Sequence, residues 1–242
     1  MTGPPTAEPS PVLVRHEQRT AVVELARPPA NMIDETLALR LRSCLEELDA
    51  SSDTDAIVLT GAGEVFCGGA DAAAVRSSGR AEEFAEAITG LFAFFPASTT
   101  PLLAAVNGDA LAGGFGLVCS CDIVIVADGA RLGTNEAKLG GWPALAMLPA
   151  LRRVPEKAAI RNVLTGEPFT TPEALALGIV DEVVASADLL ARTRQWADAV
   201  TVSGRAVATG RPQFYRARQQ TYSQALAEAR GALARAFSPS QP

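Results

Sequence analysis

Residues 101–122 read PLLAAVNGDALAGGFGLVCSCD, an apolar run that breaks into a glycine corner and then turns apolar again. Leu102–Val106 is apolar at every position and too short for a helix, which marks a strand covered on both faces. Asn107-Gly108-Asp109-Ala110-Leu111-Ala112-Gly113-Gly114 is the corner, and the stretch from there through Cys119 predicts a buried helix. Ile123–Ala127 (IVIVA) follows as the next strand. The same order occurs upstream: Ala56–Thr60 (AIVLT) predicts a strand, Gly61–Gly69 a glycine loop, and Ala70 the start of a helix. Strands alternating with helices through glycine-rich corners predict an α/β domain with largely parallel strands.

Toward the N-terminus, Val12–Val14 and Ala21–Leu25 predict a hairpin-like start. After the breaker Arg27-Pro28-Pro29, Asp34–Asp49 places Leu37, Leu41, Leu45 and Leu48 on one helix face, with Asp34 as its N-cap. Toward the C-terminus, Ala144–Arg153 and Glu156–Leu164 predict helices and Ile179–Val184 a short strand. Helices are expected again at Ala187–Val200 and about Pro212–Ala236. The expected organisation is a disordered tail over residues 1–11, a core over 12–190 and a helical region over 191–242, whose end, Phe237–Pro242, is loosely held.

The 242 residues are 48% hydrophobic and 20% charged, enough for a sizeable core and unlike a disordered chain. A net charge of −6 argues against a nucleic-acid partner. Apolar runs such as Ile123–Ala127 fall far short of the about 18–20 residues of a membrane span, so no membrane is expected. The first eleven residues hold four prolines and no apolar core of a signal peptide. Cys44, Cys67, Cys119 and Cys121 form no C-x-x-C pair and His16 is the one histidine. Buried reduced thiols in a cytoplasmic protein, with no metal, are therefore expected. His16 lies in the first strand, away from both corners, which argues against a Ser-His-Asp hydrolase.

A backbone N–H aimed at an oxygen that is becoming negative is a strong catalytic device, and glycine or alanine lets the backbone come close enough. Two corners are built that way: Phe66-Cys67-Gly68-Gly69-Ala70-Asp71 and Asn107–Gly114. Neither is a dinucleotide fingerprint, because Gly61-Ala62-Gly63 lacks the third glycine, and no Walker A lysine occurs.

From Ala21 to about Ala191 the chain resembles the crotonase (enoyl-CoA hydratase/isomerase) superfamily. Arg27–Asn31 is similar to its first adenine-side turn and Phe66–Asp71 to its F-x-x-G-A-D segment. Pro101–Asp122 is similar to its P-x-x-A-x-x-G-x-A-x-G-G-G segment, and Leu164–Val180 (LTGEPFTTPEALALGIV) to its late L-T-G … A-x-x-x-G-L-V segment. The resemblance implies a spiral of ββα units with a C-terminal helical region for trimerisation, as a homotrimer or dimer of trimers. It implies an acyl-CoA thioester substrate, coenzyme A being part of the substrate and no separate cofactor being needed. The thioester oxygen would be held by the N–H groups of Ala70 and Gly113. Pro29, Ala30, Gly68 and Arg76 would line the coenzyme A side, and Arg211 and Arg216 could add charge from a neighbouring subunit. Ala112 stands where the family usually has the first of three glycines.

The hydratases of this superfamily use two glutamates. At the first of those positions this chain has Gly116; at the second it has Glu136, in GTNEAKLG (133–140), which resembles the segment of the single-glutamate isomerases. Adding water needs a held, activated water as well as a proton for C2, whereas moving a double bond needs one base that shuttles a proton. The expectation is a 3-enoyl-CoA to 2-enoyl-CoA isomerase with Glu136 as sole proton carrier. The alternatives are a hydratase, a single-glutamate C–C bond-forming or decarboxylating relative, and a non-catalytic acyl-CoA-binding paralogue. Asp71 is expected as a helix N-cap, Asp122 as a turn anchor and Trp142 as pocket wall or core; Asp109 is the next residue to test as acid/base should Glu136 not serve. A glutamate introduced at 116 is expected to add some hydration, if the site has room for it.

Overall fold

Three all-apolar runs form the centre of the fold: β3 (Ala56–Gly61), β5 (Leu102–Val106) and β7 (Ile123–Ala127) lie side by side and parallel. Successive strand side chains point to opposite faces, so each run feeds two cores. Ile57, Leu59, Ala104, Val106 and Val126 enter the larger core. Val58, Leu103, Ala105 and Ile125 enter a smaller one on the other face. The larger core is closed by Leu37, Leu41 and Leu45 of α1 (Glu35–Asp49), by Leu91 and Phe95 of α3 (Ala81–Ala97), and by α4 (Gly113–Ser120). The smaller is closed by Leu189 and Ala197 of α8 (Leu189–Thr201). Asp34 caps α1 as expected, its carboxylate accepting the Leu37 N–H at 2.8 Å. The computed structural model describes residues 10–202 and 204–237.

The hairpin β1 (Val12–Glu17) and β2 (Thr20–Leu25) adds to β3, and β10 (Glu182–Val184) adds to β7, giving the order β1-β2-β3-β5-β7-β10. A second sheet runs β4 (Val65–Cys67), β6 (Asp109–Leu111), β8 (Arg131–Gly133) and β9 (Phe169–Thr170). Thus β3-β4, β5-β6 and β7-β8 each send their first strand to one sheet and their second to the other. Helices follow: α2 (Ala72–Ser78) and α3 after the first pair, α4 after the second. After the third come a 3-10 turn (Glu136–Leu139), α5 (Met147–Ala150) and α6 (Glu156–Thr165), then α7 (Thr171–Ala176) beyond β9. This is the expected spiral of ββα units.

Several boundaries differ from the sequence expectation. The helix expected from Ala70 starts at Ala72, because Asp71 caps it through the Ala74 N–H and Ala70 itself bridges to Ile33. Within Ala144–Arg153 one short helix forms, since Pro143 and Pro149 remove N–H groups that a longer helix needs. Ile179 and Val180 turn back onto Ala174 at the end of α7, so β10 begins at Glu182. The single last helix is two, α9 (Arg205–Ala217) and α10 (Tyr222–Phe237). Thr221 and Gln224 restart it with a reciprocal cap: Gln224 Oε1 accepts the Thr221 N–H at 3.0 Å and Thr221 Oγ1 the Gln224 N–H at 3.4 Å. Of the expected tail, residues 1–9 lie outside the described residues, as do 238–242 at the other end; the Pro11 carbonyl accepts the Ala26 N–H at 2.8 Å. Among the described residues no helix is long and apolar enough to cross a membrane.

Candidate active site

The first corner is assembled from the turn Arg27–Asn31. Asn31 is fully buried with φ +48°, a conformation asparagine tolerates better than most residues. Its Nδ2 donates to the carbonyls of Ala62 (2.9 Å) and Val65 (2.7 Å), and its Oδ1 accepts the Arg27 N–H at 3.0 Å. The turn is thereby fastened to the β3–β4 loop. Beyond it the chain pairs with the corner: Gly68 N–H donates to Ala30 O (2.8 Å), Ile33 N–H to Gly69 O (2.7 Å) and Asp71 N–H to Ile33 O (2.8 Å). Pro29 and Ala30 line a cleft of about 540 Å3 with Met32, Thr36 and Asp71. Arg27 lines it too, its guanidinium bound to Asp34 at 2.9 Å and lying 3.9 Å from Asp71. Arg27 and Asn31 escaped the sequence reading as individual residues, although a buried αL asparagine after a Pro-Pro turn is a recognisable signal. Arg76 is exposed in the last turn of α2 and does not line this cleft.

The second corner lies against the first. β6 ends in Leu111, and Ala112 takes φ +50°, ψ −122°, strained for a residue with a Cβ. Its N–H donates to Gly133 O at 3.0 Å, and α4 begins at Gly113. A Cβ built on Gly69 would lie 2.4 Å from Ala112 Cβ and 3.2 Å from Gly113 N; one built on Gly113 would lie 3.9 Å from Ala70 N. Sequence positions 70 and 113 are therefore on adjoining backbone. Among the described residues neither the Ala70 nor the Gly113 N–H has a protein acceptor. Gly113 also opens a helix, whose dipole favours negative charge there.

Glu136 opens the 3-10 turn after β8. Asn162 of α6, fully buried, holds the approach to it: Oδ1 accepts the Thr134 N–H (2.9 Å) and hydroxyl (2.8 Å), and Nδ2 donates to Thr134 O (2.9 Å). The Glu136 carboxylate is half-buried and accepts the Asn135 N–H at 2.9 Å. Burial pushes its pKa up, against the backbone hydrogen bonds that lower it. At position 116 a second acid would meet the Phe92 ring and enter only if the ring moved: a Cβ there would lie 2.8 Å and 3.0 Å from the Phe92 ring and 3.4 Å from Ala146 Cα.

The remaining candidates take structural places. Asp109 accepts the Arg131 N–H at 2.8 Å, tying β6 to β8 at the end of β6 away from Ala112. Asp122 anchors its turn through the Leu102 N–H (2.8 Å) and also holds α9, accepting from Arg211 Nε (2.7 Å) and the Tyr215 hydroxyl (2.5 Å). Arg211 is thus buried in its own chain, its Nε on Asp122 and its Nη1 donating to Ser98 O at 2.5 Å, while its Nη2 has no partner among the described residues. Arg216 pairs with Glu228 of α10 at 2.8 Å. Trp142 is 54% exposed and no part of the core. His16 is exposed on β1. Cys67, Cys119 and Cys121 are buried free thiols, and burial pushes the first two up to about 12, so they are unreactive. Among the described residues no three His, Cys, Asp or Glu side chains gather as metal ligands.

The sequence model of the family described as enoyl-CoA hydratase/isomerase matches residues 15–241. A Mycobacterium tuberculosis protein described as a "probable enoyl-CoA hydratase" is 36% identical over 194 residues, covering 79% of this chain and 75% of its own. The crystal structure of a Mycobacterium smegmatis enoyl-CoA hydratase superposes with a TM-score of 0.90 at 28% identity, covering 96% of this chain and 93% of that one. Human enoyl-coenzyme A hydratase domain-containing protein 3 gives a TM-score of 0.87 at 27% identity, over 93% and 90% of the two chains. The chain belongs to the enoyl-CoA hydratase/isomerase family of the crotonase superfamily.

Proposed function

We propose that the chain is an enoyl-CoA isomerase that converts a 3-enoyl-CoA to the 2-enoyl isomer with Glu136 as its single proton carrier. The observation that carries this reading is the pairing of one half-buried carboxylate with a glycine at 116 whose side-chain space is taken by Phe92. The Ala70 and Gly113 N–H groups hold the thioester oxygen; removing one such donor typically costs about 3–4 kcal/mol of barrier stabilisation. Glu136 takes a proton from C2, the electrons delocalise into a dienolate, and Glu136, whose carboxyl proton exchanges with solvent, returns a proton at C4 as the double bond forms between C2 and C3. Pro29, Ala30, Gly68 and Arg27 line the coenzyme A side, Arg76 lies beyond it, and no cofactor other than the substrate's own coenzyme A is required. A hydratase is the second reading, favoured by the names of the relatives.

The chain acts, on this reading, in the cytoplasm, where its four free cysteines stay reduced. It assembles as a homotrimer or dimer of trimers through the C-terminal helices, which leave Tyr222, Leu226, Leu233 and Phe237 of α10 exposed. Sedimentation as a 25.1 kDa monomer at micromolar concentration would refute that assembly.

Isomerisation followed by mass spectrometry in deuterated water tests the chemistry. Glu136→Gln should abolish isomerisation and exchange while acyl-CoA affinity is kept. The base must be ionised, so the acid limb of the wild-type rate profile should lie above 4.5, the ordinary glutamate value. Rapid hydration by the wild type, with Glu136→Gln still active, would favour the hydratase; saturable binding without exchange would indicate a non-catalytic paralogue.

A further inference from the structure

A glycine in place of an acid ordinarily leaves a gap that water can enter, but here the gap is filled. A helical side chain covers the turn N-terminal to its own Cα. A side chain at 116 would therefore lie over Gly113, where the thioester oxygen is held on the reading above. That volume belongs to the ring of Phe92, reaching in from α3. The ring is anchored from behind by Phe95, fully buried, with centroids 6.3 Å apart. Its other side lines an apolar groove of about 280 Å3 with Leu145, Leu148 and Cys119. Two of the polar side chains bordering the groove are already committed. Ser120 donates to Gly116 O at 2.8 Å, and Arg153 donates to the carbonyls of Cys119 and Cys121 and to the Tyr215 oxygen.

We propose that Phe92 is a specificity-determining residue: its ring keeps water away from the reacting carbons, so that the site moves protons instead of adding water. The proposal rests on the enolate chemistry proposed above and adds what selects among its outcomes. Gly116 and Phe92 act as a pair: opening position 92 admits water and raises hydration, and an acid at 116 adds to it only once the ring is gone.

The test supplies 2-enoyl-CoA in deuterated water and reads two products, deuterium at C4 and 3-hydroxyacyl-CoA. Phe92→Ala should raise the ratio of hydration to exchange by about tenfold or more, the scale on which a pocket distinguishes competing occupants. Phe92→Leu, which keeps the volume apolar, should stay near the wild-type ratio. Gly116→Glu with Phe92 in place should not hydrate, whereas Phe92→Ala/Gly116→Glu should. A folded Phe92→Ala protein with an unchanged ratio overturns the proposal, and so does hydration by Gly116→Glu alone. The latter decides the matter even where Phe92→Ala does not fold. Calorimetry separates the two levels of inference: a wild type with neither acyl-CoA binding nor exchange sinks the isomerase reading and this proposal together. Exchange with a ratio indifferent to residue 92 sinks this proposal alone.

Discussion

The corner at Gly68–Asp71 and the corner at Leu111–Gly114 press against each other, yet they carry their strained residue differently. In the first, positive φ falls on Gly69 (+98°), which has no Cβ to object. In the second it falls on Ala112 (+50°), which has one. The first is laced to Ala30–Ile33 by three backbone hydrogen bonds, with Asn31 fastening that segment in turn; the second hangs from Gly133 O. The difference is complementary, because Ala112 Cβ occupies the space that Gly69 leaves, 2.4 Å from where a Gly69 Cβ would stand. Glycine is demanded at 69 twice over, by its own φ of +98° and by the Ala112 Cβ that fills the space beside it, so the two corners share one contact.

Breaking that contact should have the largest effect. Gly69→Ala adds a clash to an unfavourable φ, so a loss of about 3 kcal/mol or more is expected in urea unfolding. Activity should fall by about 100-fold or more through displacement of the donors. Gly69→Ala combined with Ala112→Gly should recover part of both losses, and strictly additive effects would show that the two positions do not meet. Loosening the first corner from behind comes next. Asn31→Ala leaves buried carbonyls without their donor and should cost about 2–3 kcal/mol, measured the same way. On the proposed reading, in which the Arg27–Asn31 turn borders the coenzyme A side, acyl-CoA affinity should fall more than turnover. The smallest effect sharpens the comparison. Ala112→Gly relieves the φ strain at a cost in chain entropy, and should raise the melting temperature by about 2–4 °C, the shift that roughly 1 kcal/mol produces at this size.

The strands β3, β5 and β7 were legible because both faces are buried, leaving apolar runs such as AIVLT and IVIVA with no polar interruption. Their partners β4, β6 and β8 were not, since three residues beside glycines carry no period to read. Helix α3 also escaped: alanine and glycine interleave with four phenylalanines of which only Phe95 is fully buried, which blurs its buried face. The break before α10 had a readable signal in Thr221-Tyr222-Ser223-Gln224, a capping-box spacing. At the site, the corners and Glu136 followed from ordered motifs. The meeting of Phe92 with Gly116 did not, because it joins elements whose approach depends on the whole spiral.

Asp122 has a consequence for the order in which the molecule forms. Its carboxylate accepts one bond from β5 and two from α9, the latter from residues 89 and 93 positions further along the chain. Most strand pairs of the spiral close shorter loops, such as Val58 with Leu103, so the expected order is strands first, with the Asp122 socket in place before its occupants. α9 then docks by inserting Arg211 and Tyr215 into it. During synthesis, β3, β5 and β7 leave the ribosome well before Arg211 does, and the buried charge at Asp122 waits without its counter-ion until the last fifth of the chain arrives. The C-terminal helices are therefore expected to be a late-closing cooperative unit.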